Sequence, residues 1–310
     1  MGVSTPAGLL VEDGAAVGQT RTRTLLVVGA GTMGAGIAQV AAVAGIHTLL
    51  FDLDDGQVQR ALRRIAADLD KGVELGKVTP EQRNQARARL LTAESLDLAA
   101  VRADFVVEAV VEDMSTKQKV FKSLAARAPD HAVLATNTSA LSITELAASV
   151  PQAASRVIGM HYFNPVPRMA LVEVVRGLET SDATVAETMQ VARALGKQPV
   201  EINEFPGFAV SRINALIGNE AFYMLMEGVA SAASIDTALK LGLNYPMGPF
   251  ELGDLVGWDT RLKVLEYLHA TLGDKYRPCP LLVKYVKAGR LGRKTGKGVY
   301  DYDASVGAPS

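Results

Sequence analysis

The residue types most able to do chemistry in this chain are a histidine and a glutamate on neighbouring apolar runs. His161 ends the run Arg156–Met160 and is followed by the turn Tyr162-Phe163-Asn164-Pro165, while Glu173 interrupts Leu171-Val172-Glu173-Val174-Val175. A carboxylate inside an apolar strand is costly unless it is paired or hydrogen-bonded. A histidine on the adjacent strand is the economical partner, and an imidazole held by a carboxylate is a general base. Taken singly, His161 reads as a satisfied structural histidine and Glu173 as an outward-facing strand residue; as a pair behind a cofactor fold they point to catalysis. The other histidines, His47, His131 and His269, form no ligand cluster with His161, so no metal is expected.

The cofactor fold is signalled by Gly29-Ala30-Gly31-Thr32-Met33-Gly34, which follows the apolar run Leu25–Val28 and opens a helix. The first glycine permits the tight turn, the second lets the backbone approach a pyrophosphate, and the third lets helix and strand pack closely, with the helix N-terminus facing the anion. Asp52 ends the next apolar run, where an acidic side chain accepts hydrogen bonds from a ribose diol. The same carboxylate repels a 2′-phosphate, and Leu53 offers no cation to hold one, so NAD is favoured over NADP. Asn137-Thr138-Ser139 follows the run Ala132–Ala135 and emerges at the carboxyl edge of a strand, where ligands of such sheets bind. A helix cap is the alternative there, with Ser142 or Ser139 capping a helix that includes Glu145.

These residues need a scaffold, and candidate strands alternate with helical segments up to about residue 200: Thr24–Val28, Thr48–Phe51, Phe105–Val110, Ala132–Ala135, Val157–Met160, Leu171–Val175 and Pro199–Ile202. Such alternation predicts a doubly wound, mostly parallel α/β sheet of the Rossmann type. Asp54–Lys77 and Glu81–Leu91 read as two helices inserted after the second strand. From Phe205 the period changes, with Phe208, Ile213, Leu216, Ile217, Ala221, Met224 and Leu225 at helical spacing, and Ser234–Leu241 and Thr260–Leu272 helical as well. We therefore expect a flexible extension over residues 1–23, a dinucleotide-binding domain over 24–204 and an all-helical C-terminal domain over 205–310, hinged at Pro206-Gly207.

The chain has 310 residues with 32 basic and 33 acidic side chains, and its 48% hydrophobic content suits a globule with a sizeable core. A net charge of −1 gives no general attraction to nucleic acid or anionic membrane surfaces. Leu25–Phe51 lacks Asp, Glu, Lys and Arg, but its glycines, Gln39 and His47 break it into strand, turn, helix and strand, so no membrane span is expected. The single cysteine, Cys279, excludes an intramolecular disulfide and fits a reducing, cytoplasmic compartment. Lys287, Arg290, Arg293, Lys294 and Lys297 form a basic run among glycines, either a solvated surface or a tail folding over a polyanionic ligand.

Taken together, these motifs resemble the short-chain L-3-hydroxyacyl-CoA dehydrogenase family, particularly the bacterial 3-hydroxybutyryl-CoA dehydrogenases. The likeness covers roughly residues 24 to 303. It includes the glycine motif continued to Gln39, Val106-Val107-Glu108-Ala109, Asn137-Thr138-Ser139, Gly159–Pro167, Leu171–Val174, Pro206-Gly207-Phe208, Tyr245–Leu252 and Gly292–Gly298. The resemblance implies an oxidoreductase in which NAD accepts a hydride from C3 of an (S)-3-hydroxyacyl thioester, giving a 3-ketoacyl-CoA, or the reverse, with short-chain substrates such as 3-hydroxybutyryl-CoA and acetoacetyl-CoA. It implies that His161 takes the hydroxyl proton, Glu173 supports the imidazolium, and Ser139 hydrogen-bonds the reacting oxygen. By match to the family pattern, Glu112, Lys117 and Lys294 join Gly29, Gly31, Thr32, Met33, Gly34, Asp52 and Ser139 near NAD, Asn164 lies near the thioester, and Lys71 and Lys77 near the CoA phosphates. Where the family often has Asn before Arg after Pro206-Gly207-Phe208, this chain has Ser211-Arg212, so a shorter hydroxyl stands at the position of a thioester contact. The family also implies a homodimer through the helical domain. Two rival readings are a dehydrogenase of a free hydroxy acid or sugar acid, and a non-catalytic relative like the lens lambda-crystallins. The intact His161 and Glu173 speak against the latter.

Overall fold

Parallel pairing of short, mostly buried runs organises the first half of the computed structural model, which describes residues 22–302. Strands β1 (Thr24–Val28), β2 (His47–Phe51), β3 (Leu90–Thr92), β4 (Phe105–Glu108), β5 (Val133–Thr136), β6 (Val157–Tyr162), β7 (Leu171–Arg176) and β8 (Gln198–Asn203) form one sheet in the order β3-β2-β1-β4-β5-β6-β7-β8. Pairing is parallel from β3 through β6, and β6 pairs antiparallel with β7. The first six positions have the order of a dinucleotide-binding sheet, whose topology reverses between β1 and β4. Of the extension expected over residues 1–23, only Thr22 and Arg23 are described: the Thr22 hydroxyl donates to Glu187, and the Arg23 amide donates to Asp104 Oδ2 at 2.9 Å. The rest of that extension lies outside the described residues.

Helices α1 (Thr32–Val43), α2 (Asp55–Glu74), α3 (Pro80–Arg89), α4 (Leu96–Ala100), α5 (Met114–Arg127), α6 (Ile143–Ala148) and α7 (Asp182–Ala194) connect these strands. Their starts are chemically marked. Asp54 caps α2 through Gly56 N–H, Thr79 and Gln82 form a reciprocal capping box on α3, and Asp113 and Ser181 cap α5 and α7. Helix α2 buries Val58, Ala61, Ile65 and Leu69, a stripe at helical spacing, and leaves its charged face to solvent. The helix expected over Glu81–Leu91 ends two residues early, because Leu90 turns extended and Leu90–Thr92 pairs with Thr48–Leu50 as an edge strand. Two leucines and a threonine fit either state, and the exposed edge of β2 decides it.

The remaining chain is helical: α8 (Val210–Met226), α9 (Ala232–Gly242), α10 (Pro249–Val256), α11 (Trp258–Leu272) and α12 (Pro280–Lys287). Phe222 sits edge-on to Phe250 and Trp258, with ring centroids 5.3 and 4.7 Å away, at the centre of this core. Two buried carboxylates tie the C-terminal segment to it. Asp254 accepts from Trp258 Nε1, from the amides of Val299 and Tyr300 and from the Tyr302 hydroxyl, and Asp236 accepts from the Phe250 and Glu251 amides and the Tyr300 hydroxyl.

The chain divides into two compact units. One comprises the described chain up to Asn137 together with Glu145–Glu201, and the other comprises Thr138–Thr144 together with the described chain from Ile202 onward. Thr138–Thr144 is joined to the second unit through Glu204, which accepts from the Ser142 hydroxyl at 2.5 Å, the Thr144 amide at 2.8 Å and the Thr144 hydroxyl. Among the described residues, no helix is long and apolar enough to cross a membrane.

Candidate active site

In the first unit, the antiparallel register of β6 and β7 sets His161 directly opposite Glu173, on the same face of the sheet. Their side chains meet, with Nδ1 2.8 Å from Oε2, and both are buried, Glu173 to 1% exposure. A carboxylate at Nδ1 fixes the tautomer that carries its proton there and leaves Nε2 as the basic nitrogen. The Phe163 ring lies 4.6 Å from the imidazole, tilted by 51°, and limits its rotation. The Asn137 side chain accepts from the Tyr162 amide at 2.9 Å, so the end of β5 is stitched to the end of β6 beside the histidine. Asn164 is exposed on the turn that follows.

The glycine motif occupies the carboxyl end of β1, at the switch point of the sheet. Gly29 has φ +106°, and a Cβ there would lie 2.5 Å from the Ala109 carbonyl oxygen, so the turn after β1 passes against the turn after β4. A Cβ on Gly34 would fall 1.8 Å from the Gly29 carbonyl oxygen, so α1 starts as close to β1 as backbones allow. A Cβ on Gly31, in contrast, would meet nothing within 4 Å. Its open side leaves the backbone approachable at a helix N-terminus, the cradle a pyrophosphate needs. Thr32 and Met33 form the first turn of α1. Asp52 accepts from the Ala30 amide at 2.7 Å through one oxygen and from the Asp54 amide at 3.0 Å through the other, which fixes its carboxylate beside the glycine turn.

Lys117 and Glu112 belong to a feature that sequence reasoning did not resolve. Glu108, the last residue of β4, is fully buried, and the Lys117 ammonium donates to both its oxygens at 2.8 and 3.0 Å. The Thr136 hydroxyl and the Val110 amide also donate to Glu108, each at 2.7 Å, and Glu112 lies 3.4 Å from the Lys117 ammonium. Glu108 thereby joins the ends of β4 and β5 to α5. The signal available in the sequence was an acidic residue ending the apolar run Phe105-Val106-Val107 with a lysine on the next helix.

Ser139 and Ser211 belong to the second unit. Ser211 lies in the first turn of α8, whose N-cap is Ala209, and its hydroxyl makes no hydrogen bond among the described residues. Lys294 pairs with Asp259 at 2.5 Å. Most of the basic run around it is satisfied internally: Arg290 stacks on Tyr285 and donates to the Gly298 carbonyl, Arg293 stacks on Tyr302, and Lys297 pairs with Asp301. Lys71 and Lys77, near the end of α2, are exposed and have no ion-pair partner among the described residues.

The chain matches the family model of the 3-hydroxyacyl-CoA dehydrogenase NAD-binding domain over residues 24–205, and that of the C-terminal domain of the same family over residues 207–302. It is 48% identical over 282 residues to a Bacillus subtilis protein named "Probable 3-hydroxybutyryl-CoA dehydrogenase", covering 91% of this chain and 98% of that one. It is 46% identical over 285 residues to the 3-hydroxybutyryl-CoA dehydrogenase of Bradyrhizobium diazoefficiens, covering 92% and 97%. The crystal structure of the (S)-3-hydroxybutyryl-CoA dehydrogenase of Ralstonia eutropha superposes with a TM-score of 0.88 at 45% identity, covering 91% of this chain and 99% of that chain.

Proposed function

This chain belongs to the 3-hydroxyacyl-CoA dehydrogenase family, and we propose that it interconverts (S)-3-hydroxybutyryl-CoA and acetoacetyl-CoA, with His161 as the general base held by Glu173. It is an NAD-dependent oxidoreductase acting on (S)-3-hydroxyacyl-CoA. The observation that carries the residue assignment is the buried 2.8 Å contact between His161 Nδ1 and Glu173 Oε2. In the oxidation direction His161 Nε2 takes the proton of the C3 hydroxyl. Glu173 balances the positive charge that then appears on the ring, in a place too dry for water to do so. Bound NAD supplies the acceptor for the hydride that leaves C3. The cradle of Gly29, Gly31, Thr32, Met33 and Gly34 fits that cofactor, and Asp52 takes the ribose hydroxyls at its edge. Glu112, Lys117 and Lys294 are assigned to NAD by the family pattern. Ser139 on the reacting oxygen and NAD, Asn164 and Ser211 on the thioester, and Lys71 and Lys77 on the CoA phosphates rest on the same pattern.

A homodimer through the helical unit and a cytoplasmic location are further parts of this proposal. The first is supported by large apolar side chains exposed there, among them Ile213, Val229 and Leu241, and the second by the lone reduced cysteine. The test of function is NADH oxidation with acetoacetyl-CoA, longer 3-ketoacyl-CoAs and free 3-keto acids. We expect acetoacetyl-CoA to give the highest kcat/KM. A preference for free acids, or no turnover with any thioester, refutes the assignment.

A further inference from the structure

Lys197 is a buried lysine that pairs with no carboxylate among the described residues. It follows Gly196, whose φ of +72° ends α7, and precedes the first residue of β8. Its ammonium donates to the backbone carbonyls of Val166 at 2.5 Å and Met169 at 2.9 Å, and burial lowers its pKa from the usual lysine value. Both carbonyls lie in the connection between β6 and β7, the stretch that carries Phe163 against the imidazole and Asn164 beyond it. Apart from the buried side chain of Val166, few other bonds define that connection: the Arg168 and Met169 amides donate to the Pro165 carbonyl, and the Gln198 amide donates to that of Ala170. On its other side Val166 sits against α1 so closely that a Cβ on Gly36 would lie 2.8 Å from Val166 Cβ.

We propose that Lys197 is a positioning residue for the reaction: by drawing two carbonyls of the β6–β7 connection onto one ammonium, it holds Phe163 and Asn164 in place beside His161. A buried ammonium satisfied only by carbonyls is an expensive way to close a turn, since a hydrophobic residue of the same length would avoid the desolvation. The cost is offset if the turn must keep one conformation, because small displacements of groups around a reacting centre reduce turnover steeply. The Gly29–Gly34 turn is held by other bonds, from the Gly29 amide to the Phe51 carbonyl of β2 and from the Ala30 amide to Asp52, so NADH affinity is expected to be independent of Lys197. This inference rests on the dehydrogenase reading above, with His161 as base.

The test compares wild type with Lys197→Met, which keeps the apolar stem and removes the donors, and Lys197→Gln, which keeps one donor group on a shorter stem. Three quantities are read: kcat/KM for acetoacetyl-CoA, the Kd of NADH, and amide hydrogen exchange over residues 162–170. For Lys197→Met we expect kcat/KM to fall on the order of 10- to 100-fold, exchange in that stretch to quicken, and the Kd of NADH to stay within about twofold. Lys197→Gln should fall between the two, and it decides the question if Lys197→Met does not fold. Unchanged exchange with unchanged kcat/KM in either folded variant overturns the proposal. So does an equal loss of NADH affinity, which would make Lys197 a general support of the sheet. Wild type inactive on acetoacetyl-CoA would defeat the dehydrogenase reading instead, while the exchange data would still report whether Lys197 holds the turn.

Discussion

Replacing Glu173 by Gln keeps the shape of the side chain and an acceptor for His161 Nδ1–H, and removes only the charge. In the ground state of alcohol oxidation the imidazole is neutral, so the loss there is that of a charged hydrogen bond exchanged for a neutral one, about 1 kcal/mol. In the transition state the ring is becoming cationic. From the 2.8 Å contact, the charge centres stand ~4 Å apart, which at an effective dielectric near 20 is worth about 4 kcal/mol. The difference between the states, about 3 kcal/mol, is the part that enters the barrier and corresponds to a fall in kcat on the order of 100-fold. The assay is initial-rate oxidation of (S)-3-hydroxybutyryl-CoA at saturating NAD, with NADH affinity measured separately by fluorescence. Glu173 is remote from the glycine turn, so NADH affinity should be unchanged. A kcat for Glu173→Gln within about threefold of wild type would refute the idea that this carboxylate supports charge on His161.

Asp52→Asn should narrow the preference for NADH over NADPH, since it exchanges one of the two ribose-accepting oxygens for a donor and removes the charge that repels a 2′-phosphate; the ratio of kcat/KM for the two cofactors reports it, and equal use of both by wild type would contradict the reading. Glu108→Ala removes the buried partner of the Lys117 ammonium and leaves it only the half-exposed Glu112 at 3.4 Å, so it should cost about 3 kcal/mol of unfolding free energy, read by denaturant melts. Ser211→Ala should lower kcat/KM for acetoacetyl-CoA by about 1 kcal/mol of transition-state binding, roughly fivefold, and leave thermal stability unchanged because Ala209 is the N-cap of α8; stability loss with unchanged kinetics would make the position structural. The hydroxyls of Thr116 and Ser115 and the Thr116 amide hold the Asp113 carboxyl at about 2, below the 3.8 of a free aspartate. A depressed carboxyl stabilises the fold above the unfolded value and loses that stabilisation as pH falls toward the folded one, so the difference in melting temperature between wild type and Asp113→Ala should shrink between about pH 4 and pH 2.

The parts of the site that were legible in the sequence are those whose chemistry conflicts with their surroundings. A glutamate within Leu171–Val175 has no reason to be there unless something answers it, and glycines at Gly29, Gly31 and Gly34 after an apolar strand have backbone rather than side-chain work to do. The strand β3 was not legible, since Leu90–Thr92 acquires its state from the edge of β2, a neighbour about forty residues upstream. Glu108 was hidden for a related reason. At the end of an apolar strand an acidic residue reads as solvent-facing, and only the return of α5 brings Lys117 over it and buries both. Lys197 gave no signal at all, because its partners are carbonyls, and backbone carbonyls are the same at every position of a sequence.

The pairing of His161 with Glu173 depends on the one antiparallel step that is resolved in register within the sheet. Between parallel neighbours the connection must cross the sheet, as α1 does between β1 and β2, and a dozen residues or more intervene without bringing chosen side chains opposite one another by turn geometry alone. Between β6 and β7 the chain reverses through a single connection, so the spacing of the two residues and the conformation of that connection together decide which side chains meet. A slip of one residue would set His161 opposite Val172 or Val174 and leave the carboxylate of Glu173 on the opposite face of the sheet. The apolar residues on either side oppose that slip: Met160, Tyr162, Val172 and Val174 are all buried, and turning either strand over would exchange them for His161 or Glu173. The general base is therefore positioned by the same burial that holds the sheet, whereas over residues 163–170 burial anchors Val166 and leaves the rest of the turn to hydrogen bonds. That is the stretch on which Lys197 acts.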